Sequence, residues 1–518
     1  MPIRMSGLVS NLDTEQIIGA LMSAQKTKQT KLKNKITKLE WTQEKWKDLN
    51  TKLYSFYSDT LSKFRFQSNF ATKKVTSSDE TVATLTASGS AAEGSHSLKV
   101  SQLASSQFVT SAQLTTDKNS LAISSATKLV DLNMTAGNKI SVAVGDTTKE
   151  IIIDENTTVS GFLSTLKGAG LNASYDTAQK RFFISSKQSG TENAFTLTAD
   201  TPSELVNLGL SEITKTTAPD GSLVSVNAGS NVALVQPKDA KYNYNGVDFT
   251  SSSNNISVNG LSITLKGLTK GADTSDTSDD VPISLNVTKD VKTVYDMVKS
   301  FITSYNALLK EMNTNYYADS ARSYEPLTDD DKEKMSEEEI KKWETKIKDS
   351  LLRRDDTLGS LATVMRTRLS GSVTVGGKSY SLSSFGIATS ADYTEKGLLH
   401  IDGDESDSLV SGNADKLMAA LNEDPDTVAE VLTQLAGNLY SELSKNMGGT
   451  SLRSALTFYN DKEIKNTLSD YNDELKTMER KLQEMEDRYY KQFSAMETAL
   501  AKMNSQSASL ASMLGTNQ

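Results

Sequence analysis

The chain has 518 residues, of which 37% are hydrophobic and 23% charged, a net charge of -9, two histidines and no cysteine. That length exceeds a single hydrophobic core and fits three or four domains. The acidic balance excludes a general nucleic-acid binder, and the absence of cysteine excludes a disulfide scaffold or a Cys-based metal site.

Charge is unevenly placed: residues 1–75 hold 14 Lys/Arg against 6 Asp/Glu. The N-terminus has no apolar run of signal-peptide length, and no stretch reaches the roughly twenty apolar residues of a membrane span. Residues 12–66 read as helix. Asp13 stands at the N-cap with Gln16 three residues on, and Leu12 can staple to Ile17. Ile17, Leu21 and Ala24 make a short apolar face. A heptad follows at Leu32, Ile36, Leu39, Trp46, Leu53 and Tyr57, with Gln43 and Asn50 as polar interruptions.

From about Val75 to Val287 the composition turns to Ser, Thr, Asn and Gly, with alternating apolar residues. Ser97–Leu103 and Ile256–Leu265 carry the period of two that strands need, and Asn245-Gly246 and Asn259-Gly260 mark turns. A break near Ser105-Ser106 and Gln236–Lys238 would nest one β-rich domain inside another. Helical periodicity returns at Asp290, with Val291, Val294, Tyr295, Val298, Ile302, Tyr305 and Leu309 on one face. The charged stretch Leu327–Lys348 contains a Ser336/Glu339 capping box. A helix is expected over Asp356–Leu369, a hairpin over Ser372–Leu382, and a helix opening at Asp424-Pro425. Gly448-Gly449 reads as a hinge. From Ile464 a heptad then runs through Leu468, Tyr471, Leu475, Met478, Leu482, Met485 and Tyr489, skips at Gln492, and resumes at Met496 and Met503. Two ends that can zip together with everything else looped out describe a stalk carrying a head.

Motifs for covalent chemistry are weak. Gly377-Lys378-Ser379 ends like a phosphate-binding loop, but position 372 is Ser where that loop needs Gly. Asp402, Asp404 and Asp407 fail the spacing of a calcium loop, and Asp276, Asp279 and Asp280 read as solvated. His96 and His400 are isolated, which excludes a clustered zinc motif. The chain reads as a non-enzyme with no cofactor and no metal.

Both ends resemble a known family. Met5-Ser6-Gly7-Leu8-Val9-Ser10-Asn11-Leu12-Asp13-Thr14 with Ile17-Ile18 and Leu21-Met22 is similar to the opening of flagellar hook-associated protein 2, the filament cap. So are Ser78–Ser88, Gly94–Ala104, Tyr244–Phe249, Gly260–Leu265, Phe301–Leu308 and the tail Gln492–Gln506. The resemblance fades over 111–238. An aromatic stands in that family where this chain has His96, which implies a surface strand residue.

The resemblance implies an α+β multidomain fold. Terminal coiled-coil segments (1–45 and 475–518) and a helical leg (46–75 and 288–474) would enclose nested β-rich heads (76–110 with 239–287, and 111–238). It also implies a secreted homo-oligomer at the distal tip of the bacterial flagellar filament. Its partners would be flagellin and the type III export apparatus with its chaperone, with no nucleic acid and no membrane, and with host glycans as a further ligand of the head. The seam and docking residues are Ile17, Leu21, Leu32, Ile36, Leu39, Trp46, Leu475, Met478, Leu482, Met485, Tyr489, Phe493, Met496 and Met503, with termini that order only on assembly. Another axial component at the hook–filament junction, and a cap with an added adhesin role, stay open.

Overall fold

The computed structural model describes residues 13–114, 117–271 and 281–515, which divide into two units: one from the chain's two ends (to Phe70, and from Val291) and one from Ala71–Asp290. The staple at Leu12 and the carboxylates of Asp276, Asp279 and Asp280 lie outside the described residues.

The first unit is helical. Its N-terminal helix, Thr14–Ser55, starts where Asp13 accepts a hydrogen bond from the Gln16 N–H at 2.9 Å. The helix continues as a π-helical turn, Phe56–Leu61, and ends at Phe64. The core forms around the helix Val291–Tyr316, whose inward face carries Val294, Val298, Phe301, Tyr305 and Leu309. Phe64 stacks on Phe301 with ring centroids 4.1 Å apart. Tyr305 is almost fully buried, and burial pushes its phenol far above the ordinary range. Helices Asp356–Leu369 and Pro425–Asn446 complete the core. A two-strand hairpin, Ser372–Val375 with Lys378–Ser381, occupies the Gly-Gly turn, so Lys378 and Ser379 are strand residues rather than a phosphate cradle.

The charged stretch folds as the helix Glu337–Asp349, opened by a reciprocal capping box between Ser336 and Glu339. It packs along the N-terminal helix through Lys45–Asp349 (3.4 Å) and Lys348 over the Trp41 ring (4.6 Å).

The second unit is β-rich with all strand pairs antiparallel. One core lies between a five-stranded and a three-stranded sheet and contains Leu98, Val100, Ile263 and Leu285. The other lies between a five-stranded and a four-stranded sheet, with the helix Val159–Gly168, and contains Ile140, Phe162, Phe182 and Phe195. The chain passes between the cores at one two-way bridge, Ser105 with Lys238. Two glutamines beside that bridge act as surrogate strand backbone. Gln107 bonds both the N–H and the carbonyl of Phe195, and Gln236 does the same to Val226. Across the crossing, Asp239 accepts from the Thr191 N–H and hydroxyl at 2.7 and 2.6 Å. Gly190, at φ +94°, lies so near Ser252 that an added Cβ would collide with the Ser252 Cβ.

His96 corrects the expectation of a surface residue. On the strand Gly94–Gln102 it shares the inward parity of Leu98 and Val100, and it is buried. Its Nδ1 faces the Tyr244 hydroxyl at 2.9 Å and the Asn245 amide at 3.2 Å. Its Nε2 faces the Ala92 carbonyl at 3.2 Å. Two donors at Nδ1 and an acceptor at Nε2 assign the neutral tautomer with the proton on Nε2.

Candidate functional site

The two terminal helices, Thr14–Ser55 and Asp461–Leu514, pair antiparallel. Near the base of the pair Trp46 stacks on Tyr459 at 5.5 Å, and Asn50 Oδ1 accepts from the Phe458 N–H at 2.8 Å. Further along, Lys35 lies over the Tyr471 ring, Gln29 donates to Glu479 at 3.1 Å, and Lys33 pairs with Glu479 at 3.7 Å. Asn50 is therefore a register pin: a polar seam residue that spends its acceptor on the partner backbone. The ion pairs are exposed and contribute little, so the buried seam holds the helices together.

Leu32, Ile36 and Trp46 are buried, and Ile17 and Leu39 half-buried. On the C-terminal helix Leu475, Met478, Leu482, Met485, Tyr489 and Phe493 are half-buried along one stripe. Leu21 departs from expectation: it is 47% exposed, and Ile18 and Met22 are buried instead. The reason lies in two apolar doublets, Ile17-Ile18 and Leu21-Met22, each readable in two phases. Counting the heptad back from Leu32 in steps of three and four passes Gln29 and Gln25, then lands on Met22 and Ile18. Leu49 is a further buried residue that the strict heptad passed over.

The end of the C-terminal helix is different. Every residue from Ala501 to Ser512 is exposed. Met496, Met503 and Leu510 recur every seven residues, at 37%, 58% and 61% exposure. A heptad-spaced apolar stripe left in water needs a partner surface. Unbranched methionines suit one that must repack against unequal neighbours.

The loop before this helix, where Gly448-Gly449 read as a hinge, is tied down. Arg453 donates twice to the Gly448 carbonyl, and the Leu456 N–H bonds the Met447 carbonyl. The three aspartates with near-calcium spacing are each engaged within the chain. Asp402 bonds Asn413, Asp404 bonds Lys299 at 2.6 Å, and Asp407 bonds His400. Among the described residues no three His, Asp or Glu side chains gather to hold a metal, and no helix is long and apolar enough to cross a membrane.

His400 sits between two carboxylates, with Nδ1 2.6 Å from Asp407 and Nε2 2.9 Å from Glu395. Burial favours the neutral ring, but the two acceptors outweigh it and raise the imidazole pKa above its ordinary 6.5. A raised folded-state pKa contributes stability that is complete below the unfolded value and fades as pH rises through the folded one. His400→Gln should therefore lower the stability of the helical unit by about 2 kcal/mol at pH 5.5. The deficit should shrink as pH climbs past the raised pKa, as read from denaturation series at both pH values. A deficit that stays constant would contradict the charged sandwich.

Two family profiles match the chain: the flagellar hook-associated protein 2 N-terminus over residues 10–107 and its C-terminus over residues 237–505. The chain is similar to flagellar hook-associated protein 2 of Halalkalibacterium halodurans, with 26% identity covering 98% of this chain and 99% of that one. It is likewise similar to the protein of that name from Escherichia coli, with 24% identity covering 99% and 98%. In fold it is similar to the crystal structure of the D1–D2–D3 domains of the flagellar cap protein FliD from Escherichia coli. That likeness has TM-score 0.54 at 20% identity and covers 83% of this chain and 99% of that one. With profiles matched at both ends over most of its length, the chain belongs to the flagellar hook-associated protein 2 family.

Proposed function

We infer that the chain is a structural cap at the distal tip of the bacterial flagellar filament. As an oligomer it keeps exported flagellin from being lost and promotes its folding and polymerisation. The observation that carries this reading is family membership across both chain ends. The exposed stripe of Met496, Met503 and Leu510 supports it by supplying a surface for the filament end. On this reading residues 1–45 and 475–518 dock into the filament through the seam residues named above. Residues 46–75 with 288–474 form the leg, and 76–110 with 239–287 and 111–238 form two heads. The work is binding and sheltering, with no covalent chemistry. Export by the type III apparatus with its chaperone, and host glycans as ligands of the head, belong to the same proposal, each checked by pull-down with the purified chain.

Deleting the gene tests the reading. The expected phenotype is hooks without filaments and monomeric flagellin in the medium, scored by electron microscopy and immunoblot. Normal filaments in the deletion strain would overturn it.

A further inference from the structure

One turn past the π-helical stretch Phe56–Leu61, at the end of the short helix Ser62–Phe64, stands an arginine whose side chain donates no hydrogen bond among the described residues. The Arg65 guanidinium lies 4.1 Å over the Tyr440 ring and 4.4 Å over the Phe66 ring. Tyr440 is itself stacked on Tyr57 at 4.3 Å. The guanidinium makes no hydrogen bond or ion pair among the described residues, and its Nε is buried without an acceptor. Asp59, the acid on the same segment, is occupied by the hydroxyls of Ser55 and Ser58. A guanidinium held flat by aromatic rings is a preformed fork, and its terminal amino groups, rather than the buried Nε, are what an incoming planar carboxylate can reach. Phe66 beside it is 47% exposed.

The complementary feature lies on the same unit. Glu405 is exposed and makes no hydrogen bond or ion pair among the described residues. Its loop also exposes Leu409, at 56%. The loop is held in shape: Asp404 accepts from Lys299 at 2.6 Å and from the Ser406 N–H at 3.0 Å, and the Gly403 N–H bonds the Val410 carbonyl at 3.0 Å.

The helix Val291–Tyr316 fixes where the two features stand. Phe301 carries the Phe64 ring, next to Arg65, and Lys299 carries the Asp404 loop. Two residues on a helix are about 200° apart around the axis and only about 3 Å apart along it. The Phe64–Phe301 stack and the Lys299–Asp404 pair therefore leave the helix at nearly one level in roughly opposite directions, which sets Arg65 and Glu405, their chain neighbours, toward opposite flanks. Complementary patches on opposite flanks make a head-to-tail contact, which closes into a ring when the rotation permits.

We propose that Arg65 and Phe66 of one copy receive Glu405 and Leu409 of a second copy, as an anchor between neighbouring legs of the oligomer. Arginine with an aromatic neighbour is the composition that dominates interface energetics, and a carboxylate is its planar match. This rests on the reading that the chain works as an oligomer.

The chain's lack of cysteine makes the test clean. In full-length protein at concentrations where the wild type sediments as an oligomer, Arg65→Cys combined with Glu405→Cys should give, with a bis-maleimide whose spacer covers the reach of the two replaced side chains, a ladder of covalent multimers. Each single-cysteine variant should give none. Arg65→Glu and Glu405→Arg should each weaken self-association roughly tenfold or more, and the double swap should restore most of it. Unchanged circular dichroism would show that both swaps fold. Monomer only from the double-cysteine variant, or single swaps without effect, would overturn the proposal. So would loss with Arg65→Glu that the double swap fails to restore, since the carboxylate would then come from another protein. A wild type that never oligomerises would instead bring down the oligomeric reading beneath it.

Discussion

A chain ending at Leu500 is expected to fold as the full-length protein does and to leave cells without filaments. Ala501–Ser512 contribute almost nothing to the isolated fold, because every one of them is exposed. What goes with them is Met503 and Leu510, the outer part of the heptad stripe. On the proposed docking, burying two such side chains against the filament end would contribute roughly 3–6 kcal/mol per copy, an upper estimate that the oligomer multiplies. The truncated chain should melt within about a degree of the intact one. In cells it should appear in the medium together with shed flagellin, which separates failure to grip from failure to be exported. Filaments of normal number and length on this truncation would show that the stripe is not the grip.

Trp46→Ala should unfasten the base of the terminal pair at a cost of about 3–5 kcal/mol, the range for a buried aromatic cut to alanine. Trp46 is 3% exposed, stacks on Tyr459, and lies one turn from Asn50, which holds the Phe458 backbone. Leu21→Ala, by contrast, should change the stability of the single chain by less than about 0.5 kcal/mol, since that side chain faces water. All three tryptophans, Trp41, Trp46 and Trp343, lie in the helical unit, so fluorescence-monitored urea unfolding reports that unit and not the β-rich one. A Trp46→Ala loss below about 1 kcal/mol, or a Leu21→Ala loss that matches it, would contradict the seam described here.

The contrast between those residues also marks how far sequence reaches into this fold. Signals carried by neighbouring residues were legible. Asp13 caps its helix, Ser336 and Glu339 close their box, Asp424 and Pro425 open theirs, and the Gly376-Gly377 turn makes a hairpin. Periodicity was legible where it was long, as in the stripe from Leu475 to Phe493, and ambiguous where it was short, as at Ile17-Ile18 and Leu21-Met22. His96 carries an inward signal in its parity with Leu98 and Val100, which outweighs the surface position that the family comparison implies. Other features had no local signal. Gln107 reaches Phe195 and Arg65 reaches Tyr440, pairings set by tertiary approach that no spacing encodes. The π-helical turn at Phe56–Leu61 belongs to the same class, because its extra residue is tolerated by the packing of Phe56 and Leu61 into the core rather than by any propensity of its own.

Capping at the distal tip separates this role from that of a component at the hook–filament junction, which would share paired terminal helices. Immunogold labelling of the intact chain on growing filaments, viewed by electron microscopy, tests it most directly. Gold confined to the end far from the cell is the expected result; gold at the hook junction or along the shaft would contradict it.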